Sequence, residues 1–359
     1  MEVQLPTDLD FLGANIHGRR SRMAERERLD QLARVRSVPE LARTLFPEGR
    51  FLTAVHLQRV LVMDQVEELS DIAARLVGPS RRFLDWLRVR FQMENLKVLA
   101  RGFSGGMSLN DLLPHLVPLP GDLALNLEVL ATAGSMEAFA ALCPSEPLRE
   151  GMRRALDLYN RQPRPFYVEA GMDHGYLAEL LARARALPRA DRAGILAIAC
   201  QEADTFHLVL LARGKFHYGL GPEMLMPFHV PGALIEREEF GRLAAAEGLG
   251  DVAEAVVGAA LDPWPPGLDR RSQPMDPALL ETLAWNRYWW LANRTFRRSH
   301  MGLGAVVAYA ALRRVELANL IRLSEGIRAG LPADVIRRRL IPRSDLASGR
   351  PPSGEGARV

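Results

Sequence analysis

The residues best suited to chemistry in this sequence lie between Gln201 and His207. This stretch holds two carboxylates, Glu202 and Asp204, and the imidazole of His207. Carboxylate and imidazole side chains that project from the helices of a bundle are the ligands of many metal sites. One hypothesis is therefore an enzyme that carries a metal ion on Glu202, Asp204 and His207.

The positions around Asp204 and His207 recur twice elsewhere, at two equal intervals along the chain. Residues 91–102, 203–214 and 315–326 align without gaps. Three columns of this alignment are identical, namely Leu96, Leu208 and Leu320, then Leu99, Leu211 and Leu323, then Gly102, Gly214 and Gly326. Two further columns are polar, namely Gln92, Asp204 and Glu316, followed three residues later by Asn95, His207 and Asn319. The carboxylate and the imidazole therefore belong to a repeated pattern.

A helix would place each polar pair beside two of the repeated leucines, because positions i, i+3, i+4 and i+7 share one face. A polar side chain beside an apolar seam is costly unless it is hydrogen-bonded. We therefore predict that each pair is a structural clamp, which ties its helix to backbone groups of its own domain. His207 stands where the other copies carry Asn95 and Asn319. This equivalence favours the clamp over the metal site.

The interval of roughly 110 residues indicates repeated domains, since solenoid repeats span only ~20 to 50 residues. Helical periodicity runs through almost the whole chain, as in residues 64–77 and 176–187, and runs of alternating β-branched residues are lacking. The sequence predicts an all-α protein built from three similar helical domains. Their predicted bounds are 1–122, 123–240 and 241–343, followed by a disordered tail at 344–359.

Charge is nearly balanced overall but uneven along the chain. There are 46 basic and 43 acidic residues, which gives a formal net charge of +3. Residues 285–359 carry 14 arginines against five carboxylates, so this stretch is +9 and the remainder is −6. A basic end can face nucleic acid, an anionic membrane surface or an acidic protein. A helical adaptor or nucleic-acid-binding protein that uses this end is therefore an alternative function.

The thiols and the apolar runs bear on cellular location. Cys143 and Cys200 are the only cysteines, and no apolar signal region follows Met1. No uninterrupted apolar run reaches the ~20 residues that a membrane span needs. These features indicate a reduced cytosolic compartment and a chain that is soluble or peripheral to a membrane.

An aromatic cluster made of Trp285, Tyr288, Trp289 and Trp290 precedes the third aligned block. Such amphipathic rings suit a membrane or protein interface, but they also pack well inside a helical core. We expect this cluster to pack inside the third domain.

Several segments together resemble one protein family. Residues 83–102 read FLDWLRVRFQMENLKVLARG, residues 202–215 read EADTFHLVLLARGK, and residues 314–322 read RVELANLIR. The segments 330–336, GLPADVI, and 14–23, ANIHGRRSRM, add to the likeness. In their order and threefold recurrence these motifs are similar to the C/d subunit family of V-type and archaeal-type (V/A-type) rotary ATPases. The resemblance covers about residues 10 to 343.

The resemblance implies a three-domain, all-helical, funnel-shaped subunit with pseudo-threefold symmetry in the central stalk of a rotary complex. It would join the rotor shaft, built from D-type and F-type subunits, to the membrane-embedded proteolipid ring. It would transmit torque as a non-catalytic subunit, without cofactor, metal, small-molecule substrate or nucleic-acid partner. The implied location is the cytoplasmic face of the membrane, in peripheral contact with the membrane sector.

The sequence departs from the family pattern at two clamp positions. Gln92 stands where an acid is usual, and His207 stands where Asn is usual. The details of these two clamps are therefore expected to differ from the family pattern.

The basic end supplies candidate interface residues. If acidic partner surfaces or lipid headgroups meet this end, we expect the contact to involve five arginines. These are Arg287, Arg297, Arg298, Arg313 and Arg314.

Overall fold

The computed structural model describes residues 9–49, 53–261 and 275–342. These residues form seventeen α-helices, two short 3-10 helices and one isolated β-bridge. The described part of the chain has no β-strand, so the prediction of an all-α fold is confirmed. The predicted tail at 344–359 lies outside the described residues.

The helices are numbered in chain order. The first nine are α1 (Leu9–Arg20), α2 (Arg26–Leu32), α3 (Val38–Leu45), α4 (Ala54–Ala74), α5 (Gly78–Ser104), α6 (Leu109–Leu112), α7 (Leu127–Ala131), α8 (Met136–Ala141) and α9 (Glu146–Arg161). The others are α10 (Pro165–Arg185), α11 (Arg189–Gly214), α12 (Pro222–Leu225), α13 (Arg237–Ala245), α14 (Leu249–Val256), α15 (Pro277–Ser299), α16 (Leu303–Arg328) and α17 (Ala333–Arg337).

The six long helices form three hairpins that close into a ring. Helix α4 packs on α5, α10 on α11, and α15 on α16. A turn of three residues joins the two helices of each hairpin, at 75–77, 186–188 and 300–302. Between hairpins, α5 contacts α10, α11 contacts α15, and α16 contacts α4. The last contact brings the third hairpin back against the first, so the ring is closed.

The repeated glycines lie near the end of the second helix of each hairpin, which is α5, α11 or α16. A Cβ atom at Gly102, Gly214 or Gly326 would overlap a side chain of the next short helix, which is Leu112, Leu225 or Ile336 respectively. A second set of glycines then adopts left-handed backbone, with φ of +65° at Gly106, +66° at Gly219 and +67° at Gly330. Close approach requires glycine in the first set, and positive φ favours it in the second.

Buried apolar side chains form three clusters in the described residues. The largest runs around the ring and joins side chains of all three hairpins. The second packs α13 and α14 against α11 and α15. The third joins α2, α3 and the first half of α4 to the C-terminal half of α16 and to α17, so segments distant in sequence share one core.

Helix α11 is long and apolar enough to cross a membrane by length and composition. Of its most apolar window, however, 78% is buried inside the protein. The helices packed around it include α10, α15 and α16. Its apolar character therefore serves packing within the ring.

The aromatic cluster of α15 is divided between the core and the surface. Tyr288 is buried, and Trp285 and Trp289 are half-buried against the main core cluster. Trp290 is 44% exposed, with the Arg294 guanidinium 5.2 Å from its ring centroid. The expectation of internal packing is therefore wrong for Trp290.

Candidate functional site

The second polar column holds the returning loop of each repeat. The Asn95 side chain donates to the Val117 carbonyl at 2.8 Å and accepts from the Val117 N–H at 3.0 Å. In the third copy, Asn319 makes the same pair of bonds to Ile341, at 2.6 and 2.9 Å. One buried amide thus satisfies a backbone donor and a backbone acceptor that would otherwise be costly to bury.

His207 makes only one of these two bonds. The Val230 N–H donates to its Nε2 at 2.9 Å, so the proton of the neutral ring belongs on Nδ1. That Nδ1 lies 3.6 Å from Asp204 Oδ1 and has no hydrogen-bond partner among the described residues. The ring instead stacks on His229, with centroids 4.8 Å apart and planes 9° apart. An aromatic contact therefore replaces one hydrogen bond of the asparagine clamps.

The first polar column has a different partner in each copy. Gln92 donates to the Leu123 carbonyl at 3.0 Å. Asp204 accepts from the N–H groups of Leu234 and Ile235, at 3.1 and 2.9 Å. Each of these bonds ties a long helix to the loop that follows it.

In the third copy, the corresponding side chain reaches the beginning of the chain. Glu316 accepts a hydrogen bond from the Ala24 N–H, 292 residues earlier in sequence, and pairs with Arg313. The Arg313 side chain also contacts Asp64 and Glu68 of α4 at 2.8 and 2.6 Å. Glu316 and Arg313 therefore fasten the last repeat to the N-terminal segment and to the first hairpin.

Charged and hydrogen-bonding neighbours outweigh burial in setting the pKa of two groups in this network. For Glu68, burial alone would raise the pKa, but Arg313, Tyr309 and Arg19 outweigh it and hold the pKa below the usual range. For Arg313, burial acts to lower the pKa, and Glu316 and Glu68 reverse this effect and raise it. Arg313 and Glu68 are therefore both charged near neutral pH.

Two other buried histidines lie near the clamp of the second copy. Burial, with a contribution from Arg154, lowers the pKa of His174 to about 4. Burial also lowers the pKa of His229, although its bond to the Ile235 carbonyl at 2.9 Å opposes this shift. Both rings are therefore neutral near pH 7.

Glu202 faces away from Asp204 and His207, toward two arginines. Its Oε1 lies 2.8 Å from Arg90 Nη1 and 2.5 Å from Arg314 Nη1. Arg90, Glu202 and Arg314 themselves stand one repeat interval apart, so they form one more repeat column. We call this group the axial triad, since here side chains of all three copies meet. Glu202 is paired with the two arginines, and Asp204 accepts hydrogen bonds from backbone N–H groups. The two carboxylates therefore do not converge with His207 on one metal position, and this geometry does not support the metal-site hypothesis.

The surroundings of the triad favour the charged form of Arg314. The side chain of Glu202 is 5% exposed. Burial alone would lower the pKa of Arg314, but Glu202, Tyr288 and Tyr176 outweigh it and raise the pKa. The Arg314 guanidinium also lies 4.5 Å from the Trp285 ring centroid, within range of a cation–π contact.

A cavity of about 70 Å³ lies against the triad, and matching positions of all six long helices line it. From α5, α11 and α16 come Phe83, Ile195 and Val307, again one repeat interval apart. From α4, α10 and α15 come Gln65, Tyr176 and Tyr288, which keep the same interval to within a single position. The three hairpins thus present equivalent faces to one shared centre.

Comparison with known proteins identifies the family of the chain. The sequence model of the ATP synthase (C/AC39) subunit family matches residues 12–339. The chain belongs to this family. One relative is the C subunit of the V-type ATP synthase of Deinococcus radiodurans, which is 23% identical over 354 residues and is matched over 94% of this chain and 92% of its own length. Membership of the C/AC39 family makes the protein a non-catalytic subunit of a rotary ATPase.

The five candidate interface arginines of the C/AC39 chain lie in two kinds of environment, internal and solvent-exposed. Arg313 and Arg314 form the internal ion pairs described above and are only 16% and 17% exposed. Arg287 is half-buried, whereas Arg297 and Arg298 are placed in the last turn of α15 and reach solvent. Only these last two are openly placed for an external partner.

The axial triad was missed by the sequence alignment although the necessary signal was present. Arg90, Glu202 and Arg314 directly precede the aligned blocks of the C/AC39 chain. They differ in charge, so a search for columns of similar chemistry passes over them. A search for complementary charges at the repeat interval would have found them.

Proposed function

We propose that this chain is a rotor subunit of the central stalk of a V-type ATPase or ATP synthase. It would couple a shaft of D-type and F-type subunits to the membrane proteolipid ring, on the cytoplasmic face. The observation that carries the proposal is the closed ring of hairpins around the axial triad, because a coupling element between two rotating parts must resist distortion.

Polar contacts join the hairpins at every junction of the ring. Between α5 and α10, Lys97 Nζ lies 2.6 Å from Asp173 Oδ1. Between α11 and α15, Gln201 donates to the Ala284 carbonyl at 3.2 Å. The Arg313 ion pairs described above join α16 to α4, and the triad joins α5 and α16 to α11.

These contacts suit the transmission of torque. Removing one partner of a buried ion pair leaves an uncompensated charge and costs about 3 to 5 kcal/mol. Sliding of one hairpin past its neighbour would separate such pairs at several junctions together. Torque applied at one end of the ring should therefore reach the other end with little internal deformation.

The alternative of a helical adaptor or nucleic-acid-binding protein rests on the basic C-terminal stretch. Two of its arginines, Arg313 and Arg314, are engaged in internal ion pairs. Counting charges along the sequence therefore overstates how basic the surface is in this part of the molecule. No contact among the described residues favours the alternative function.

Reconstitution tests the rotor proposal. The tagged chain is mixed with purified D-type and F-type subunits and with detergent-solubilised proteolipid ring, and complexes are isolated by affinity and size exclusion. We expect recovery of both sets of partners, and the chain alone should not hydrolyse ATP. Failure to recover either the shaft subunits or the ring would contradict the proposal.

A functional test uses membranes that contain the whole complex. Omitting the chain should uncouple ATP hydrolysis from ion pumping, and adding it back should restore the coupling. Full pumping without the chain would show that it has no coupling role.

A further inference from the structure

The cavity beside the axial triad has an apolar wall with a few polar groups on it. We call it the axial cavity. Among the described residues, the only charged side chains that line it are those of the triad. Leu87 and Phe91 of its wall are half-buried, so the cavity reaches solvent beside Arg90. An apolar pocket with a small number of convergent polar groups is the usual form of a small-molecule site.

The Gln65 side chain lies in this wall with an unsatisfied polar atom. It belongs to α4 and is only 2% exposed, and its Oε1 has no hydrogen-bond partner among the described residues. Buried amide groups in native proteins are nearly always bonded to protein, water or a ligand, because leaving one unpaired is costly. The Gln65 amide therefore indicates that a polar group from outside the chain enters the cavity.

The triad brings an excess of positive charge to the same cavity. Glu202 Oε1 contacts both Arg90 Nη1 and Arg314 Nη1, at 2.8 and 2.5 Å, so one carboxylate serves two guanidinium groups. Each guanidinium has five N–H donors, most of which remain available. Glu94 also interacts with these arginines, but its side chain is exposed, lies outside the cavity and contacts Lys97 at 3.2 Å. The wall of the cavity thus keeps a net charge of +1.

Two tyrosines add hydroxyl groups to the wall. Tyr176 and Tyr288 line the cavity from α10 and α15. Burial raises the pKa of Tyr288 to about 12, and burial also raises the pKa of Tyr176. Both hydroxyls therefore keep their protons near neutral pH, and each can donate a hydrogen bond to an anion.

We propose that the axial cavity binds a small organic acid, as a monoanion with one carboxylate and a short apolar body. The carboxylate would accept hydrogen bonds from the remaining N–H groups of Arg90 and Arg314 at the open side of the cavity. The body would lie against the apolar wall, and Gln65 Oε1 would accept a hydrogen bond from a hydroxyl group or a water carried in with the ligand. This ligand-binding activity goes beyond the proposed rotor function and does not depend on it.

The wall favours a monocarboxylate over other ligands. One excess positive charge matches one carboxylate, and a neutral ligand would leave that buried charge unpaired. Inorganic phosphate is polar on every side, so it would gain nothing from the apolar wall. The volume of about 70 Å³ holds about five or six water-sized groups, since one water needs ~10 to 15 Å³. This room suits an acid whose apolar body has about five carbon atoms.

Titration calorimetry on the purified full-length chain tests the proposal, with hexanoate as the probe. Hexanamide has nearly the same shape without the charge, and inorganic phosphate has charge without an apolar body. We expect hexanoate to bind, hexanamide to bind about tenfold or more weakly, and phosphate to bind more weakly than hexanoate. Equal binding of hexanoate and hexanamide would overturn the proposal. So would the absence of saturable hexanoate binding in the millimolar range.

The length of the acid tests the size of the site. From acetate to hexanoate, each added methylene group should tighten binding by about fourfold, because it is buried against the wall. Longer acids should gain nothing further. Affinity that keeps rising through decanoate would mean binding to an open apolar surface and would contradict the cavity site.

Two variants with the same loss of charge locate the carboxylate. Arg90→Gln removes the more exposed arginine of the triad and leaves Glu202 paired with Arg314. The control, Arg81→Gln, removes an exposed arginine of the same helix. We expect hexanoate affinity to fall about tenfold or more in the first variant and to change by less than about twofold in the control. Equal losses in both, or a folded Arg90→Gln protein with wild-type affinity, would exclude the triad as the carboxylate site.

A variant that fills the cavity locates the apolar body. Ala311 lines the axial cavity and is 5% exposed. Ala311→Leu should abolish hexanoate binding and the rise in thermal stability that hexanoate gives the wild type. Circular dichroism checks that the variant is folded, and the arginine variants decide the question if it is not. A folded Ala311→Leu protein that binds hexanoate as tightly as the wild type would place the ligand elsewhere. Reconstitution with the shaft subunits and the ring remains a separate test of the rotor proposal.

Discussion

The clamps and the axial triad use the same repeat in opposite ways. At the clamps, Asn95 and Asn319 are identical and make identical pairs of bonds. At the axis, the three equivalent positions carry opposite charges, as Arg90, Glu202 and Arg314. The clamps lie apart from one another, each on its own returning loop, whereas the triad side chains touch.

This contrast follows from electrostatics. Two like charges about 4 Å apart repel by about 4 kcal/mol at the effective dielectric of a protein surface. Three arginines or three glutamates on the axis would therefore be strongly unfavourable. A threefold repeat can keep the same residue where its copies are separate, but it must change charge where they meet.

The largest expected effect comes from removing the negative charge at the axis. Glu202→Gln leaves Arg90 and Arg314 facing each other without a counter-charge. We expect the free energy of unfolding to fall by about 3 kcal/mol, at the lower end for a buried ion pair because Arg90 is partly exposed. Denaturant unfolding followed by circular dichroism measures this change.

The matched control removes all three charges together. The variant R90L/E202L/R314L has no unpaired charge at the axis, so it should lose clearly less stability than Glu202→Gln. If the triple variant is the less stable of the two, the triad contributes by packing rather than by charge balance.

The clamp residues show how much of the site can be predicted from sequence. The spacing of Asn95, His207 and Asn319 gives the helix face and the need for polar partners. Two of the partner groups, on Val117 and Ile341, lie 22 residues further on, after a short helix and a loop. The partner of Glu316 lies at Ala24, and no local pattern connects residues so far apart.

The distribution of surface charge was harder to predict, because closure of the ring decides which charged side chains are internal and which are exposed. Counting along the chain marks the C-terminal stretch as basic, yet Arg313 and Arg314 are internal. The exposed charge is divided among three turns that are distant in sequence, and each is ordinary alone. Only closure of the hairpins brings Arg75, Arg185 and Arg297 to one end.

The second prediction tests the equivalence of the asparagine clamps. Asn95→Ala and Asn319→Ala each leave a backbone N–H and a carbonyl without their partner. We expect each to lower the free energy of unfolding by about 2 kcal/mol, measured by denaturant unfolding. The control is Asn160→Ala, because Asn160 is exposed and bonds the exposed Glu137; it should change stability by less than about 0.5 kcal/mol. A large cost at one clamp and none at the other would show that the copies are not equivalent.

The third prediction concerns the loss of stability at acidic pH. Buried histidines lie near the clamp of the second copy alone, so we expect their contribution to this loss to come from that copy. The folded-state pKa of His174 lies at about 4, below its unfolded value. Stability is therefore complete above about pH 6.5 and falls as the pH drops toward 4, because the unfolded chain takes up the proton first. The expected loss between pH 7 and pH 5 is about 2 kcal/mol.

Unfolding at a series of pH values measures this loss. The variant His174→Gln should flatten the pH dependence, while the same change at the exposed His115 should leave it as in the wild type. An unchanged slope in His174→Gln would assign the acid sensitivity elsewhere.

The smallest expected effect comes from giving the second copy the residue of the other two. His207→Asn would restore a side chain able to bond both the N–H and the carbonyl of Val230, but it would lose the stacking on His229. These changes oppose each other, so we expect a net change within about 1 kcal/mol. His207→Leu fills more of the imidazole volume than asparagine does, but it leaves the Val230 N–H without an acceptor. We expect it to lower the free energy of unfolding by about 2 kcal/mol. Amide hydrogen exchange at Val230 should stay slow in the first variant and accelerate in the second. Equal costs and equal exchange in both would mean that the imidazole acts by packing alone and that the second clamp differs from the others in kind.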